Sequence, residues 1–400
     1  MDFTFNDEQR QLQESAQSFF SAHADSANVR RTMGSELGYD ADIWRRVAHD
    51  MGWTGIGVPE SYAGIGLSFI EIAIVQQEMG RTLHASPFFA NNALAVPAIL
   101  AAGSEQQRQQ LLPKLAAGDC IAAFVCTGPQ GIPGSDGIEV FLTPHADGFT
   151  LSGAASFVVF GQSADLLIVA ARALASSGAD GISLLALTPD MPGIRIEKLA
   201  VMDLTRPYAS ITFDNVVVDG EQILGTPGQA YAALQSAVAL GNIALAAEQA
   251  GGAEKCLTFA TEYAKQREQF GRAIGSFQAI KHKLADMMVL VEAAKSAVYY
   301  AACTATENPA QLGEAAAVAK AYCADAFFKC AGEAIQIHGG IGYSWEHDAQ
   351  LYFKRARASM NLLGDSRYQR ECIAEQLFSG EIALLGPARS QLQQHSNGSR

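Results

Sequence analysis

Three long helical segments occupy the second half of the chain and set its architecture. Apolar residues and alanines recur at three- and four-residue spacing through 229–266, 276–306 and 312–338. Leu284 and Met288 mark one face of the second segment, and alanines make its other side apolar too. A helix that is apolar nearly all round is buried, either inside a bundle or across a subunit interface.

The rest of the chain divides into two regions of different periodicity. Helices are predicted at 41–51, 68–80, 90–102 and 104–117, where apolar spacing is helical. From about 121 to 225 the period falls to two, with short apolar runs and a hairpin-turn sequence at 145–148. We therefore predict an α+β multidomain fold: an N-terminal helical domain (1–122), a central antiparallel β-barrel or sandwich (123–226), a C-terminal four-helix bundle (227–380) and a polar tail (381–400).

Charge and composition exclude several classes of protein. Lys and Arg number 28 against 41 Asp and Glu, giving a formal net charge of −13, so neither nucleic acid nor an anionic membrane is expected as a partner. No apolar run is long enough to span a bilayer, and the first residues lack the pattern of a signal peptide, which predicts a cytoplasmic protein. Seven scattered cysteines without a Cys-x-x-Cys pair indicate free thiols, and a charged fraction of only 17% favours an oligomer.

Two segments could carry chemistry. In 267–278, Arg267 closes a helix beside the Phe270-Gly271 turn, and an arginine in that position can hold a phosphate. In 336–343, two consecutive glycines follow a long helix, which frees backbone amides and allows a ligand to approach closely. His338 by itself favours a structural role. No metal site is predicted, because the adjacent residues 346–348 point in different directions.

Together these segments resemble the acyl-CoA dehydrogenase family, and the resemblance runs from about residue 3 to residue 378. The blocks that carry it are Pro59-Glu60-x-Tyr62-x-Gly64, Phe213-Asp214-Asn215-Val216, Arg267-x-Gln-Phe270-Gly271 with Phe277-Gln278, Leu284-Ala285-Asp286-Met287, and Gln336-x-His338-Gly339-Gly340-x-Gly342-Tyr343. The resemblance implies the three-domain fold predicted above, FAD as cofactor, an acyl-CoA substrate, a tetramer, and electron-transfer flavoprotein as electron acceptor.

The same resemblance implies roles for individual residues. On one side of the ADP part of FAD it places Arg267, Phe270 and Gln278, and on the other side, across a subunit interface, Gln336, Gly339 and Gly340. Around the flavin ring and the CoA phosphates it places Thr127, Ser135 and Phe157, with Phe157 at the position of a family tryptophan. Here the family pattern is less well kept, since Thr127-Gly128-Pro129 replaces the usual Thr-Glu-Pro.

The catalytic base of the family is missing at both of its usual positions. That base is a glutamate that removes the α-proton of the thioester while hydride passes from the β-carbon to the flavin, and the equivalent residues here are Gly364 and Gly241. Asn242 replaces an arginine that many relatives use for CoA. Asp365 is one residue away and is a candidate base, with loop capping as the alternative. Glu248, two turns beyond Gly241, is interpreted as a carboxylate paired within the bundle.

These observations leave three functional hypotheses open. The chain could be the base-lacking, ADP-binding subunit of a heterotetramer, as in members that act on steroid side-chain CoA thioesters. It could instead be a homotetramer that uses Asp365 as base. In a different class, it could be a non-catalytic flavin-binding or scaffold relative, or a flavin oxidase acting on a substrate without CoA.

Overall fold

The computed structural model describes residues 4–146 and 148–379, and the predicted polar tail lies outside them. Seven helices form the N-terminal part: α1 (Asp7–His23), α2 (Ser26–Met33), α3 (Ala41–Arg45), α4 (Phe69–Arg81), α5 (Phe88–Ala90), α6 (Val96–Ala102) and α7 (Glu105–Ala116). Side chains cap several of their first turns, as at α4, where Ser68 and Glu71 form a capping box. The helices predicted at 41–51 and 90–102 are each interrupted by a π-helical turn, at Arg46–Asp50 and Asn91–Ala95.

Eight strands form one mixed sheet in the middle of the chain. They are β1 (Ala122–Val125), β2 (Val140–His145), β3 (Gly148–Val159), β4 (Leu166–Ala173), β5 (Ile182–Leu187), β6 (Ile194–Lys198), β7 (Tyr208–Val218) and β8 (Ile223–Leu224). Their order is β6-β7-β3-β2-β4-β5-β8, with β1 beside β4. The predicted hairpin is confirmed, with His145 paired to Gly148. The described strands do not close into a barrel, so the sandwich alternative was the better one. Two pairings, β1 with β4 and β2 with β4, are parallel.

The C-terminal part is helical again. A short hairpin, β9 (Glu268–Gln269) and β10 (Arg272–Ala273), separates the first two of its helices, which are α8 (Tyr231–Gln266), α9 (Gln278–Glu307), α10 (Leu312–His338), α11 (Gly340–Tyr343), α12 (Ala349–Asn361) and α13 (Ser366–Ser379). The three long helices pack together, and α10 also packs against α12 and α13. Helix α9 exposes Met288 (57%) and Val289 (67%) on its outer side, which favours the subunit-interface interpretation of its apolar surface. Within the described ranges, no helix combines the length and apolar content needed to cross a bilayer.

Glycines bring α4 of the N-terminal part unusually close to α8. A Cβ placed on Gly80 would lie 2.1 Å from the Glu248 carbonyl oxygen, and one on Gly251 would lie 1.9 Å from the Gln77 carbonyl oxygen. Any larger residue at either position would therefore push the two helices apart. This contact fixes the N-terminal helices on the bundle and brings polar groups of α4 to the buried side of α8.

Four charged side chains are buried where the loop before β7 meets α8 and α12. Arg206 donates to the Glu248 carboxylate, and Gln76 of α4 donates to the same group at 3.1 Å. Arg355 lies 3.8 Å from Glu248 and 3.6 Å from Asp203. The structure thus confirms that Glu248 is paired. Because these residues belong to all three parts of the chain, the cluster ties the parts together.

His84 makes the stability of this junction depend on pH. Burial lowers its pKa to about 4 from 6.5, with Asp40 opposing and Arg355 adding to the effect. As pH falls from 6.5 to 4 the unfolded chain takes up a proton that the folded chain refuses, so His84 should cost about 3 kcal/mol of stability over that interval. Urea unfolding across this range should show that part of the pH dependence disappear in His84→Gln. The exposed His145→Gln serves as the control, and equal profiles for wild type and His84→Gln would contradict the prediction.

Glu78 contributes in the opposite direction in the same window. Burial raises the pKa of its carboxyl to about 7, so the folded chain retains a proton that the unfolded chain loses, and this stabilisation is lost as pH rises toward 7. The quantity to measure at each pH is therefore the difference in unfolding free energy between wild type and His84→Gln, since the Glu78 contribution is common to both proteins.

Candidate functional site

The turn between α8 and α9 projects from the end of the bundle. Arg267 follows the last residue of α8, and the β9–β10 hairpin places Phe270 and Gly271 at its tip with φ values of +54° and +77°. The Phe270 side chain is 91% exposed. Arg272 lies over the Phe277 ring at 4.0 Å, which braces the base of the hairpin before Gln278 begins α9. The predicted residues of this segment are thus presented to the exterior rather than packed within their own chain.

The second predicted segment forms the end of α10. Gln336 is exposed on its last turn, and Gly339 ends the helix with a φ of +63°. A Cβ added to Gly339 or Gly340 would meet no atom within 4 Å, so space lies open beside this backbone. The Gly339 amide donates to the Ile335 carbonyl oxygen at 2.9 Å. One of the two glycine amides that were predicted to be free is therefore already hydrogen-bonded within the helix end.

An aromatic stack joins the two segments. The His338 ring packs on Tyr263 of α8 with a centroid separation of 4.3 Å, and His338 Nδ1 lies 2.7 Å from the Ala334 carbonyl oxygen. Tyr263 is four residues before Arg267, and His338 is two residues after Gln336. The structure therefore brings both predicted ADP-side segments to one end of the bundle, and it gives His338 the structural role expected from the sequence.

A cavity of about 410 Å³ lies at the other end of α8 and α10. It is bounded by the loop after β1, the first turns of α8 and α10, and α13. Its lining residues are Cys126, Thr127, Pro133, Gly134, Ser135, Tyr231, Ala232, Leu234, Gln235, Ser236, Val238, Ala239, Asn242, Pro309, Leu312, Gly313, Ala316, Ala317, Leu363, Tyr368, Gln369, Cys372 and Gln376. Three predicted residues, Thr127, Ser135 and Asn242, are brought together here. The set contains no carboxylate among the residues that the structure describes.

Polar groups around the cavity are mostly engaged with their own neighbours. Thr127 donates to the Ser156 carbonyl at 2.8 Å, and Gln235 donates to the Tyr231 hydroxyl at 2.8 Å. Asn242 differs, because its Oδ1 is buried without a hydrogen-bond partner in the described chain. Phe157 lies outside the cavity lining, on the sheet, with a φ of +59° and 44% of its surface exposed. An exposed aromatic ring held in a left-handed conformation is a candidate ligand contact.

The two glycines that the family resemblance places at the base positions, Gly241 and Gly364, are crowded by neighbouring side chains. A Cβ on Gly241 would lie 2.3 Å from Leu94 Cδ2. Gly364 has a φ of +99°, and a Cβ there would lie 2.4 Å from Tyr368 Cδ1. Neither position could take a glutamate without a shift of these neighbouring side chains.

Asp365 caps the start of α13 and does not line the cavity. Its Oδ1 accepts from the Tyr368 amide at 2.8 Å, its backbone oxygen accepts from the Gln369 amide at 3.0 Å, and the residue is exposed. A general base needs a desolvated position beside the substrate, whereas this carboxylate faces solvent. The observed contacts match the loop-capping alternative.

Substitutions at Asp365 should separate capping from catalysis. Asp365→Asn retains a good N-cap and should change stability by less than about 0.5 kcal/mol, whereas Asp365→Ala should cost about 1 kcal/mol. Neither should change the dehydrogenation rate of the assembled protein by more than about twofold. Thermal unfolding and steady-state kinetics check both statements. A loss of about a hundredfold or more in the rate of Asp365→Asn, without a loss of stability, would identify Asp365 as the base.

Lys320 is a residue of this region that the sequence did not single out. Its ammonium group is fully buried and donates to the carbonyl oxygens of Met360 at 2.9 Å and Gly364 at 3.1 Å, and burial lowers its pKa to about 8. It thereby holds the end of α12 and the turn that contains Gly364. The available signal was a lone lysine within the alanine-rich stretch 315–321, where burial is otherwise expected on every face.

Comparisons with known proteins agree with the fold. The family described as acyl-CoA dehydrogenase, N-terminal domain, matches residues 6–119, and that described as acyl-CoA dehydrogenase, C-terminal domain, matches residues 228–378. The acyl-CoA dehydrogenase IpdE2 of Mycobacterium tuberculosis is 36% identical over 90% of this chain and 94% of its own length.

Solved structures extend the similarity to the whole backbone. Butyryl-CoA dehydrogenase from Megasphaera elsdenii is 30% identical, with a TM-score of 0.87 over 94% of this chain and 100% of its own. The ChsE4-ChsE5 complex from Mycobacterium tuberculosis is 26% identical, with a TM-score of 0.85 over 94% of this chain and 99% of the matched one. The chain therefore belongs to the acyl-CoA dehydrogenase family, whose members are flavoproteins that oxidise the CH–CH unit of acyl-CoA thioesters.

Proposed function

We propose that this chain is the FAD-binding, base-lacking subunit of a heterotetrameric acyl-CoA dehydrogenase. The observation that carries the proposal is that the described lining of the cavity contains no carboxylate, while the two positions expected for the family base, Gly241 and Gly364, carry no side chain. The reaction needs a base for the α-proton, so a second, related chain must supply it. The similarity to one chain of the ChsE4-ChsE5 complex supports an assembly of two different subunits.

The residues present suit the ADP end of FAD. Arg267 and Gln278 are exposed beside the hairpin, and the backbone at Gly339 and Gly340 has open space next to it. A guanidinium group binds a pyrophosphate in bidentate fashion, and an exposed ring such as Phe270 can pack against an adenosine. Because these groups all lie on the outside of one chain, the site is expected to be completed by a second chain.

The division of chemical tasks follows from this arrangement. When bound, the flavin supplies the acceptor for the hydride that leaves the β-carbon. This chain would hold the cofactor through Arg267 and Gln278, and Asn242 and Ser135 would contact the acyl-CoA. Leucines and alanines of the cavity walls, such as Leu234, Leu312 and Ala316, would contact the acyl group. Electron-transfer flavoprotein is the proposed acceptor for the reduced cofactor, and a fatty or steroid side-chain thioester the proposed substrate.

The proposal is tested by purifying the chain alone and together with a related chain that retains the glutamate. Flavin content, oligomeric state and flavin bleaching by butyryl-CoA or a steroid side-chain CoA thioester are measured in both samples. The assembled pair should bleach, and the chain alone should react at least about a hundredfold more slowly, because general base catalysis is missing. A flavin-containing homotetramer that is fully active by itself, and that loses activity in Asp365→Asn, would overturn the proposal in favour of the Asp365 mechanism.

A second outcome would exclude the dehydrogenase function altogether. If neither sample reacts with a CoA thioester but the chain still binds flavin, the scaffold or oxidase alternatives are favoured. Oxygen consumption with a nitroalkane then separates these two, since only an oxidase would respond.

A further inference from the structure

An arginine buried in the central sheet reaches the loop that forms one wall of the cavity. Arg172 lies near the end of β4 and is only 5% exposed. Its Nη2 donates to the Ser135 carbonyl at 2.7 Å and to the Gly178 carbonyl at 3.0 Å. Its Nη1 donates to the Asp180 carbonyl and to the Ser176 hydroxyl, both at 3.3 Å. All four acceptors are uncharged, and no carboxylate forms an ion pair with Arg172 among the residues described.

The acceptors come from two loops that are otherwise separate. Ser135 belongs to the loop after β1, and the other three residues belong to the turn between β4 and β5. In that turn Ala175, Gly178 and Gly181 all have positive φ values, of +69°, +59° and +71°. Such a run of left-handed residues is costly unless the surroundings require it. Here it aims the carbonyls of Gly178 and Asp180 inward, where they receive the guanidinium donors.

The buried guanidinium group of Arg172 has no counter-ion among the described residues, so it depends on its hydrogen bonds. A buried charge is tolerated only when its hydrogen bonds are satisfied, so a movement of either loop would leave guanidinium donors unpaired. The loop after β1 is itself compact, because a Cβ on Gly137 would lie 1.9 Å from the Ile132 carbonyl oxygen. Pro133, Gly134 and Ser135 of this loop line the cavity. Arg172 therefore anchors the backbone of a residue that lines the cavity.

We infer that Arg172 is a positioning residue that couples the β4–β5 turn to the cavity wall at Ser135, and so sets the affinity for the acyl-CoA ligand. This inference rests on the proposed function, because it takes the cavity to be the place where the CoA thioester binds. The turn itself lies outside the cavity lining. A change confined to the turn should consequently alter ligand binding although it removes no group that touches the ligand.

The test uses the flavin-loaded assembly of this chain with its base-supplying partner, and butyryl-CoA as the probe. Gly178→Val places a β-branched residue at a positive φ, where space is open, and so distorts the turn without steric overlap. Its Kd for butyryl-CoA, measured by calorimetry, should rise at least threefold, and that of Arg172→Gln at least tenfold. Arg172→Lys keeps the charge but not the fork of donors, so its Kd should lie between wild type and Arg172→Gln. In each variant KM should rise more than kcat falls.

Two controls separate positioning from general loss of stability. Gly220→Val changes another open turn of the sheet, and Arg195→Gln removes an exposed arginine that pairs with Asp214 on the surface. Both should bind butyryl-CoA as wild type does. If Arg172→Gln does not fold, the Gly178→Val result decides. The inference would be overturned if the Kd of Gly178→Val is that of wild type and Arg172→Gln either has the wild-type Kd or cannot be obtained as a folded protein.

Hydrogen exchange distinguishes this inference from the proposed function. Amides of residues 127–137 should exchange at least tenfold faster in Gly178→Val than in wild type, with no ligand present. If wild type binds neither butyryl-CoA nor a steroid side-chain CoA thioester but this coupling is seen, the proposed function fails and the link through Arg172 stands. If wild type binds and the exchange rates are equal, the link through Arg172 is wrong.

Discussion

Glu248→Ala should lower the free energy of unfolding by about 3–5 kcal/mol, because it leaves the buried Arg206 without its ion-pair partner and Arg355 with Asp203 alone. Arg206 and Arg355 are 3% and 2% exposed, and Glu248 is the group that both of them face. Urea unfolding of the purified chain measures the change. Glu248→Gln should cost less than Glu248→Ala, since the amide oxygen still accepts a hydrogen bond although the charge is lost.

A matched glutamate on the same helix provides the control. Glu262 pairs with Lys265 at 2.8 Å on the exposed side of α8, and both side chains are more than half exposed. Glu262→Ala should therefore change the stability by less than about 0.5 kcal/mol. If Glu248→Ala cost no more than Glu262→Ala, the buried cluster would not be what holds the three parts of the chain together.

Restoring a side chain at the vacant base position should damage the protein and leave it inactive by itself. Gly364→Ala should cost at least about 2 kcal/mol, because it adds a positive-φ penalty to a contact of 2.4 Å with the Tyr368 ring. Gly364→Glu should be at least as unstable. It should also fail to give the isolated chain dehydrogenase activity. Thermal unfolding and flavin bleaching by butyryl-CoA measure the two effects.

The contribution of the Tyr368 contact can be isolated. Gly271→Ala also has a left-handed backbone, with a φ of +77°, and no atom within 4 Å of the added Cβ, so its effect on thermal unfolding reports the backbone penalty alone. Gly364→Ala should destabilise the protein more than this control variant does, and the difference is the cost of the steric overlap with Tyr368. Adding Tyr368→Ala to Gly364→Ala should remove that excess. An isolated Gly364→Glu chain with full activity would contradict the expectation that Tyr368 prevents a glutamate from working at this position.

Much of the fold was readable because it depends on local periodicity. The segment 312–338 was predicted with the bounds that the structure gives to α10, and the predicted turn at 145–148 joins β2 to β3. The π-helical turns at Arg46–Asp50 and Asn91–Ala95 were not predicted, since an extra residue in a turn leaves the apolar pattern almost unchanged. The parallel pairing of β1 with β4 was also missed, because strand neighbours are chosen by long-range packing.

The residues of the candidate site also divide into those that the sequence revealed and those that only the structure revealed. The glycines at 241 and 364 were visible as an absence of carboxylates, and that absence is a property of the sequence alone. The sequence did not show whether Asp365 could replace the missing base, because a one-residue offset in a turn can point a side chain toward a cavity or toward solvent. The structure shows it accepting from the Tyr368 amide at the start of α13. Arg172 likewise gave only the signal of an arginine in an apolar strand run.

The sequence by itself determined the order of helical, sheet and helical regions and the family blocks, since each follows from residue identity and spacing along the chain. Only the tertiary structure decided which charges are paired and which loops are coupled. Arg206, Glu248 and Arg355 come from positions far apart in the chain, and Arg172 reaches two loops that share no local pattern. Buried polar groups find partners by proximity in space, and local periodicity carries no record of those partners.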